Sequence, residues 1–341
     1  MSAELSDHVT TSVRWGILST ANIGRGAVIP AIHASRNGRV WAVASRDGAR
    51  AEAFAQANGI ARAHESYEAL LRDGDIDAVY IPLPNSMHRE WTVRAAEAGK
   101  HVLCEKPLAL TGNECREMVD AADGAGVTLM EAFMYRFHPR TERVVELVRA
   151  GTIGALHAIQ ASFSFQLRTR DNIRLQAALG GGALMDVGCY CVNVSRTLAG
   201  REPTRVFARA TIGQTGVDEQ LWGMLEFEGE LVAQFDCALT MERRETYRAA
   251  GTDGYLDVER AFLPGQDAVA FEERKGREEP VVHRVDGADE YQLMVEHFAD
   301  CVLDGTPPRY SAHEAAANMR VIEALYRSAR EGEPVPLESI P

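Results

Sequence analysis

Residues 13–24 read VRWGILSTANIG, and this stretch decides the fold because it joins an apolar strand to a turn of small residues and a helix start. A standard dinucleotide-binding fingerprint has glycines at the positions of Ser19, Ala21 and Gly24, and only the third is glycine here. Serine and alanine still let a pyrophosphate approach, and a helix start offers it free N–H groups and a positive dipole end. Such turns also occur in proteins that bind nothing, so the stretch needs support from the next strand along the chain. The residues expected to hold the phosphates are Ser19, Thr20, Ala21, Asn22 and Ile23.

The second strand indicates which nicotinamide cofactor this turn would serve. Val40 to Ala44 is apolar and is followed by Ser45 and Arg46. An NAD site places Asp or Glu at this point, where it accepts the ribose 2′-hydroxyl. A guanidinium instead forks onto phosphate oxygens, so Ser45 and Arg46 suit the 2′-phosphate of NADP. The sequence therefore predicts NADP; the alternative is that Arg46 is an ordinary solvated arginine.

Strands and helices alternate up to about residue 132. Further strands are expected at 78–81, 101–104 and 128–132, with helices at 47–58, 66–73, 89–98 and 111–125 between them. This βαβ series predicts an α/β fold that begins with a doubly wound parallel sheet, a Rossmann domain over residues 10–133, with ligands at the carboxyl ends of its strands. Pro30 lies inside the first helix, where we expect it to cause a kink.

The second half of the chain has a different pattern. Alternating apolar residues predict strands near 159–165, 221–227 and 231–237, and helices are expected near 182–199, 290–304 and 311–330. We predict an α+β domain over residues 134–341 with a large, open-faced and predominantly antiparallel sheet. One face of such a sheet needs cover, and a second copy would supply it. The sequence therefore predicts a homo-oligomer, a dimer or a tetramer.

Composition argues against several classes of protein. The 341 residues include 46% hydrophobic residues, enough for two cores, and the formal net charge of −13 argues against a nucleic-acid or membrane partner. The first twelve residues are polar and no long apolar run occurs, so we expect a cytoplasmic protein with neither a signal peptide nor a spanning helix. The six cysteines lack the spacing of a zinc site, so we expect reduced thiols and no metal.

Two loops at strand ends offer polar groups to the expected cleft. After the strand at 78–81, two prolines stiffen a loop from which Asn85 and His88 could hydrogen-bond near the dinucleotide; the alternative is an ordinary rigid loop. After the strand at 101–104, Lys106 could donate to a substrate hydroxyl and lower the pKa of a neighbouring acid, unless it is a surface lysine paired with Glu105. The cofactor contacts expected from these loops are Leu83, Pro84, Asn85, His88, Glu105 and Lys106.

A glycine run precedes the third candidate segment. Gly180 to Gly182 let the backbone come close to a ligand, and the helix after them sets Asp186 and Tyr190 four residues apart on one face. A phenol has a reference pKa of about 10, so Tyr190 needs a nearby cation to act as a base, and Lys106 is the available one. The alternative is that Tyr190 is a core aromatic.

These motifs together resemble the Gfo/Idh/MocA oxidoreductases. The resemblance runs from Val13 to Leu337, and its most specific marks are Glu105-Lys106-Pro107 and the glycine run leading to Asp186 and Tyr190. In that family the lysine of the Glu-Lys-Pro motif lies beside the nicotinamide and the substrate, which the resemblance carries over to Lys106. Many members have histidine where Tyr190 stands. With tyrosine at this position, the chain resembles the branch of the family that includes glucose–fructose oxidoreductase and dihydrodiol dehydrogenase.

The stretch from Met130 to Pro139 is similar to NADP-dependent aldose dehydrogenases of that branch, D-xylose dehydrogenases especially. The resemblance implies that Arg136 faces the cofactor and substrate, with a structural arginine as the alternative. It implies a dehydrogenase of a cyclic sugar or polyol, in which Tyr190 takes the hydroxyl proton, Lys106 stabilises the phenolate and Asp186 orients the sugar. A trans-dihydrodiol dehydrogenase, a ketosugar reductase, a non-catalytic NADP-binding regulator and a hydrolase that uses nicotinamide transiently remain alternatives.

Overall fold

The computed structural model describes residues 12–337. The predicted domain limits at residues 10 and 341 and almost all of the polar stretch 1–12 therefore lie outside the described residues. The first sheet has six parallel strands in the order β3-β2-β1-β4-β5-β6. Its strands are β1 (Val13–Leu18), β2 (Gly38–Ala44), β3 (Arg62–His64), β4 (Ala78–Ile81), β5 (His101–Cys104) and β6 (Leu129–Glu131). The order reverses beside β1, which is where ligands bind in open α/β sheets.

Local sequence signals start and stop the helices of this first part. Asp47, Ser66 and Thr111 each accept a hydrogen bond from a backbone N–H of the first turn of the adjoining helix. The side chain of Asp47 thereby fixes the helix that begins just beyond Ser45 and Arg46. The helices are α1 (Ile29–Ala34), α2 (Gly48–Ala57), α3 (Tyr67–Leu71), α4 (His88–Glu97) and α5 (Gly112–Ala125).

Pro30 lies inside a continuous helical stretch, residues 22–34, as the sequence predicts. A π-helical turn, Gly24–Val28, precedes α1, and Pro30 occupies the first turn of α1. A proline inside a helix lacks the N–H that would bond to the preceding turn, and here the wider π-helical turn lies directly before the proline. The kink itself stays a prediction.

The second sheet has nine strands in the order β14-β13-β12-β11-β7-β10-β9-β8-β15. Among the described strand pairs of this sheet only β7–β10 is parallel, so the predicted predominantly antiparallel sheet is confirmed, as is the Rossmann sheet before it. The strands are β7 (Leu156–Gln166), β8 (Arg205–Ile212), β9 (Asp218–Glu226), β10 (Val232–Ala238), β11 (Thr240–Gly251), β12 (Tyr255–Glu259), β13 (Val269–Arg274), β14 (Val281–Val285) and β15 (Val335–Pro336). The helices are α6 (Pro139–Arg149), α7 (Cys189–Ala199), α8 (Glu290–Asp304) and α9 (Ala312–Glu331).

One face of the second sheet is covered by α7 and α9, which pack on β7, β8 and β10. The stretch Ala177–Ala199, which ends with α7, is apolar and long enough to cross a membrane by composition alone, but 67% of its most apolar window is buried in the protein. That burial is typical of a core helix. All six cysteines are buried and free.

The last long helices return to the first sheet. Phe298 of α8 lies against Trp15 of β1 with ring centroids 5.1 Å apart, and the Asn37 amide donates to the Glu296 carbonyl at 2.9 Å. From α9, a Glu323 carboxylate oxygen accepts the Gly112 N–H at 2.8 Å. Helices α8 and α9 therefore contact the first part of the chain, and the predicted boundary at residues 133 and 134 stays a prediction.

Candidate active site

A cleft of about 630 Å³ lies between the carboxyl ends of the parallel strands and the second sheet. The first part of the chain contributes the turn after β1, the loop after β4 and the residues after β5. The second part contributes the glycine run and the helix after it. The predicted site residues that line this cleft are Thr20, Ala21, Asn22, Ile23, Leu83, Asn85, Glu105, Lys106, Asp186 and Tyr190.

The turn after β1 has the backbone of a phosphate-binding turn despite its missing glycines. Ser19, at the first fingerprint position, has a φ of 150°, a value that side chains disfavour and glycine adopts readily. A strained residue of this kind persists only where the surroundings impose it, and such residues concentrate at functional sites. Ser19 itself does not line the cleft, but it turns the chain so that Thr20 to Ile23 do.

Two arginines follow β2, and only the second of them lines the cleft. Neither Ser45 nor Arg46 is among the residues that line the cleft: Arg46 is exposed at the strand end, and the Ser45 hydroxyl accepts the Asp47 N–H at 3.2 Å. Arg50, in the first turn of α2, lines the cleft beside the phosphate turn, and sequence reasoning missed it. The sequence did contain a signal for Arg50, because a residue three positions after the N-cap Asp47 lies at the same helix end as Arg46.

The loop after β4 differs from its prediction at two residues. His88 is fully buried, with Nδ1 3.0 Å from the Pro107 carbonyl oxygen and Nε2 2.9 Å from that of Leu83, and burial lowers its pKa. The expected contact of His88 with the dinucleotide is therefore wrong: its ring ties the loop to the residue after Lys106. Pro84 does not line the cleft, and the Asn85 amide donates to the Gly180 carbonyl at 2.8 Å.

The implied position of Arg136 in the cleft is also wrong. Its side chain is buried outside the cleft, where it pairs with Glu314 and lies over the ring of Tyr310 at 3.6 Å. Glu314 is shared with Arg196, which donates to it at 2.8 Å. Arg136 therefore has the structural role that the sequence left open as the alternative.

Lys106 and Asp186 meet at the inner end of the cleft. The Lys106 ammonium donates to the Asp186 carbonyl oxygen at 2.8 Å and lies 3.6 Å from the carboxylate oxygen Oδ1. The other carboxylate oxygen accepts from Arg174 Nε at 2.6 Å. Burial raises the pKa of Asp186, but the two cations outweigh it and hold the pKa below its ordinary value. Lys106 thus pairs with Asp186 and not with Glu105.

Glu105 faces a different partner. Its carboxylate accepts the Tyr80 hydroxyl at 2.6 Å, and burial raises its pKa. Tyr80 is on β4, the neighbour of β5, so this bond ties together the ends of the two strands that carry the loops of the cleft.

Tyr190 lies beside Lys106 in an aromatic wall. It is 4% exposed, with its ring 4.9 Å from the Lys106 ammonium and its hydroxyl 3.5 Å from the sulfur of Met134. Burial raises the pKa of Tyr190 well above its ordinary value, so deprotonation requires a cation close to the oxygen. The lysine lies over the ring face here and bonds to Asp186 instead of to the hydroxyl. The rings packed around Tyr190 are Phe133, Tyr135, Phe163 and Phe262.

Several lining residues carry no motif that sequence reasoning could use. Arg174 follows β7 on a short turn, and Arg243 and Tyr291 reach the cleft from β11 and α8. They are far apart in the sequence and have no characteristic spacing. Only the path of the second sheet brings them together.

Family comparisons agree with this geometry. The model described as "Oxidoreductase family, NAD-binding Rossmann fold" matches residues 13–133, and that described as "GFO/IDH/MocA C-terminal domain" matches residues 141–257. The chain belongs to the Gfo/Idh/MocA family of oxidoreductases. It is an enzyme of that family, and the predictions of family, fold class and oxidoreductase activity are confirmed.

The relatives include sugar and diol dehydrogenases. D-xylose 1-dehydrogenase (NADP(+)) 2 of Haloferax volcanii is 44% identical over 95% of this chain and 99% of its own. Trans-1,2-dihydrobenzene-1,2-diol dehydrogenase of Mus musculus is 35% identical over 80% and 81%. The structure of an aldose-aldose oxidoreductase from Caulobacter crescentus, complexed with glycerol, has a TM-score of 0.89 at 29% identity, covering 96% of this chain and 100% of that one. A 3-ketoreductase from Actinomadura kijaniata, in complex with NADP and TDP-benzene, also has a TM-score of 0.89, at 30% identity over 93% and 98%.

Proposed function

We propose that this enzyme is an NADP-dependent dehydrogenase that oxidises a hydroxyl of a cyclic sugar, with the C1 hydroxyl of an aldose such as D-xylose favoured. The observation that carries the proposal is the meeting of Lys106, Asp186 and Tyr190 at the end of β5, in the same cleft as the phosphate turn. The 44% identity to an NADP-dependent D-xylose dehydrogenase supports the choice of substrate.

The cofactor is NADP, and the residues present fit it. The backbone of Thr20 to Ile23 would hold the pyrophosphate, and Arg50, which also lines the cleft, would offer positive charge to the 2′-phosphate. Arg46, exposed at the end of β2, would add to that charge where an NAD site would have an acid. When bound, the nicotinamide exchanges the hydride. Leu83, Asn85 and Glu105, which line the cleft, would contact it. Of the predicted domains, residues 10–133 would hold the cofactor and residues 134–341 would contribute to sugar binding.

Within this cleft Tyr190 is the general base. Its phenol takes the proton from the sugar hydroxyl as the C–H bond breaks, and Lys106 stabilises the resulting phenolate. For this, the Lys106 ammonium moves from above the ring towards the hydroxyl and keeps Asp186 as its second partner. Asp186, whose charge Lys106 and Arg174 preserve, accepts hydrogen bonds from the sugar and orients it.

Reduction of a ketosugar is a second candidate activity for the same cleft. The 3-ketoreductase that matches at a TM-score of 0.89 favours it, because a dehydrogenase site also catalyses the reverse reaction. Tyr190 then donates the proton that it would otherwise accept.

A substrate panel tests the proposal directly. The purified protein is mixed with NADP or NAD and with D-xylose, other aldoses, inositols and trans-diols, and the absorbance of reduced nicotinamide is followed. We expect reduction of NADP with an aldose, formation of the corresponding lactone, and little turnover with Tyr190→Phe. A contrary result would be a protein that binds NADP yet turns over none of these substrates, and no ketosugar when NADPH is supplied. That result would instead support a non-catalytic regulator.

We further propose that the protein acts in the cytoplasm as a homo-oligomer, a dimer or a tetramer, with no nucleic-acid or membrane partner. The outer face of the second sheet supports this, because Phe207, Trp222, Met224 and Gln234 form a shallow groove there and Trp222 is 45% exposed. Light scattering over a dilution series tests the assembly. A stable monomer at micromolar concentration would contradict it, and Trp222→Glu should weaken the oligomer without altering the cleft.

A further inference from the structure

The helical stretch 183–199 carries two of the proposed site residues, and its own sequence does not cap it. It begins with Ala183, continues as a π-helical segment, Leu184–Gly188, and ends as α7. No side chain of the residues at its start bonds to its free N–H groups. Free N–H groups at a buried helix start need an acceptor from elsewhere in the protein.

Asp218, at the first position of β9, supplies that acceptor. Its Oδ2 accepts the Leu184 N–H at 2.7 Å, and the Ala183 N–H also acts on the carboxylate. Its Oδ1 accepts the Tyr326 hydroxyl of α9 at 2.8 Å. Asp218 is 2% exposed and does not line the cleft. Asp218, which follows the helix start by more than thirty positions in the sequence, therefore caps this helix from another strand.

The last glycine of the run makes this approach possible. Gly182 has a φ of 129°, and a Cβ built on it would lie 2.1 Å from Asp218 Oδ1 and 2.9 Å from the Tyr326 oxygen. Any side chain at this position would push the carboxylate away from the helix. Gly182 therefore serves the cap, in addition to its place in the wall of the cleft.

The position of this helix start determines the geometry of the cleft. Lys106 donates to the backbone carbonyl of Asp186, the third residue after Ala183, and Tyr190 follows one turn later. A shift of the first turn would therefore move three groups together: the carbonyl that accepts from Lys106, the Asp186 carboxylate and the Tyr190 phenol. We propose that Asp218 is a positioning residue for the proposed dehydrogenase reaction, a cap from another strand that fixes the helix bearing Asp186 and Tyr190. The inference rests on the proposed function.

The charge of Asp218 makes the cap sensitive to pH. Burial raises the pKa of Asp218 to about 6, while hydrogen bonds from Leu184, Tyr326 and Ala183 oppose the rise. The titratable groups that face it are the Tyr326 hydroxyl of α9 and the Cys237 thiol of β10, and burial keeps both protonated. Among residues 12–337 no Lys, Arg or His side chain forms an ion pair with Asp218. Below about pH 6 the carboxyl becomes neutral and accepts these N–H groups less strongly.

Loss of the charge on Asp218 should affect the stability of the fold and the positioning of the helix in opposite directions. Because the folded-state pKa lies above the ordinary value, the folded protein binds this proton more tightly than the unfolded chain, and the charged group lowers stability as pH rises from about 4 to 7. A neutral side chain at 218 therefore leaves the melting temperature at pH 8 unchanged or raises it, while it weakens the cap. A residue that served stability alone would show the reverse.

The test combines Asp218→Asn with Tyr326→Phe. Wild-type turnover should fall on the acid side with an apparent pKa near 6. Asp218→Asn should lose turnover roughly ten- to a hundredfold, as expected for a misplaced site, keep its NADP affinity, and lack that acid limb. Tyr326→Phe removes one hydrogen bond to the charged form, so its acid limb should move to higher pH. Asp257→Asn, a carboxylate on β12 paired with Arg248, is the control and should match wild type.

Hydrogen exchange of the peptide that spans residues 183–190 gives a readout independent of turnover. We expect lower protection factors there, corrected for the intrinsic pH dependence of amide exchange, in Asp218→Asn and in wild type at pH 5, with the first sheet unaffected. An unchanged acid limb together with unchanged exchange would overturn the inference. If Asp218→Asn fails to fold, Tyr326→Phe provides the test. An acid limb of the pH–turnover profile that does not shift in this variant, together with unchanged hydrogen exchange, would overturn the inference as well. Absence of wild-type turnover on any sugar contradicts the proposed function, and the exchange data then decide the role of Asp218 alone.

Discussion

The two ends of the cleft are built differently. At the end where adenosine would bind, Arg46 is exposed and Arg50 lies on the first turn of a surface helix, so both charges remain in contact with water. At the inner end, the side chains of Lys106 and Asp186 are each 14% exposed and Tyr190 is 4% exposed. The outer end can gain affinity from its charges, but only the inner end has the burial that changes how its groups hold protons.

This contrast follows from the local dielectric. Exposed charge pairs contribute about 0–1 kcal/mol, and a charge-assisted contact to a phosphate about 1.5–3 kcal/mol. Buried titratable groups instead have their protonation equilibria changed, as the raised pKa of Tyr190 and the lowered pKa of Asp186 show. Substitutions at the inner end should therefore change turnover, and those at the outer end should change cofactor affinity.

The largest effect is expected from Tyr190→Phe. The ring and its aromatic packing stay, and only the proton acceptor is lost, so turnover should fall by roughly a hundredfold to ten-thousandfold with NADP affinity preserved. Steady-state kinetics on the substrate found in the panel, together with NADP titration, measure both. Tyr135→Phe, which alters a neighbouring buried hydroxyl bonded to Asn193, is the control. Near-normal turnover in Tyr190→Phe would mean that another group is the base.

A smaller effect is expected from Lys106→Met. Without the ammonium the phenol needs higher pH to ionise, so turnover should fall by roughly a hundredfold at neutral pH and recover further than in wild type as the pH rises. The double variant with Tyr190→Phe should lose less than the sum of the two losses, because the residues act as one unit. Lys275→Met, at an exposed lysine paired with Glu273, should match wild type. A residual rate independent of pH would separate Lys106 from Tyr190.

The smallest effects belong to the outer end. Arg46→Ala and Arg50→Ala should each weaken NADP binding by roughly tenfold, since one charge-assisted contact is lost in a solvated setting, and leave turnover and NAD binding nearly unchanged. Fluorescence titration with NADPH and NADH measures the four affinities. Arg94→Ala, an exposed arginine on α4 that pairs with Glu68, is the control. Equal losses for both cofactors would show that these arginines are structural, and a loss of turnover would break the contrast between the two ends.

The sequence predicted most of the features that depend on local patterns. The strand, turn and helix at Val13 to Gly24 and the helix starts at Asp47, Ser66 and Thr111 all follow from short stretches of sequence. Three of the nine strands of the second sheet, β7, β9 and β10, were also predictable, because they alternate apolar and polar residues.

The features that the sequence could not predict depend on tertiary packing. A loop histidine such as His88 has the same sequence pattern whether it faces a cleft or two backbone carbonyls, and only the fold decides between them. Arg136 follows a strand end, yet α9 brings Glu314 close enough to form an ion pair with it. Arg174 and Asp218 contact residues of the helical stretch 183–199 that lie 12 and 34 positions away in the sequence, and no spacing rule connects them to that helix.

The return of α8 to the first sheet has a consequence for how the protein is made. Arg36, which follows α1, bonds through its backbone N–H to Glu296, a residue that the ribosome adds 260 positions later. At typical rates of synthesis that interval is roughly 13 to 50 s. During this time the face of the sheet around Trp15 has no α8 to cover it. The nascent chain is therefore most vulnerable to aggregation in this interval, and a stop codon anywhere before α8 yields a fragment that keeps that face exposed.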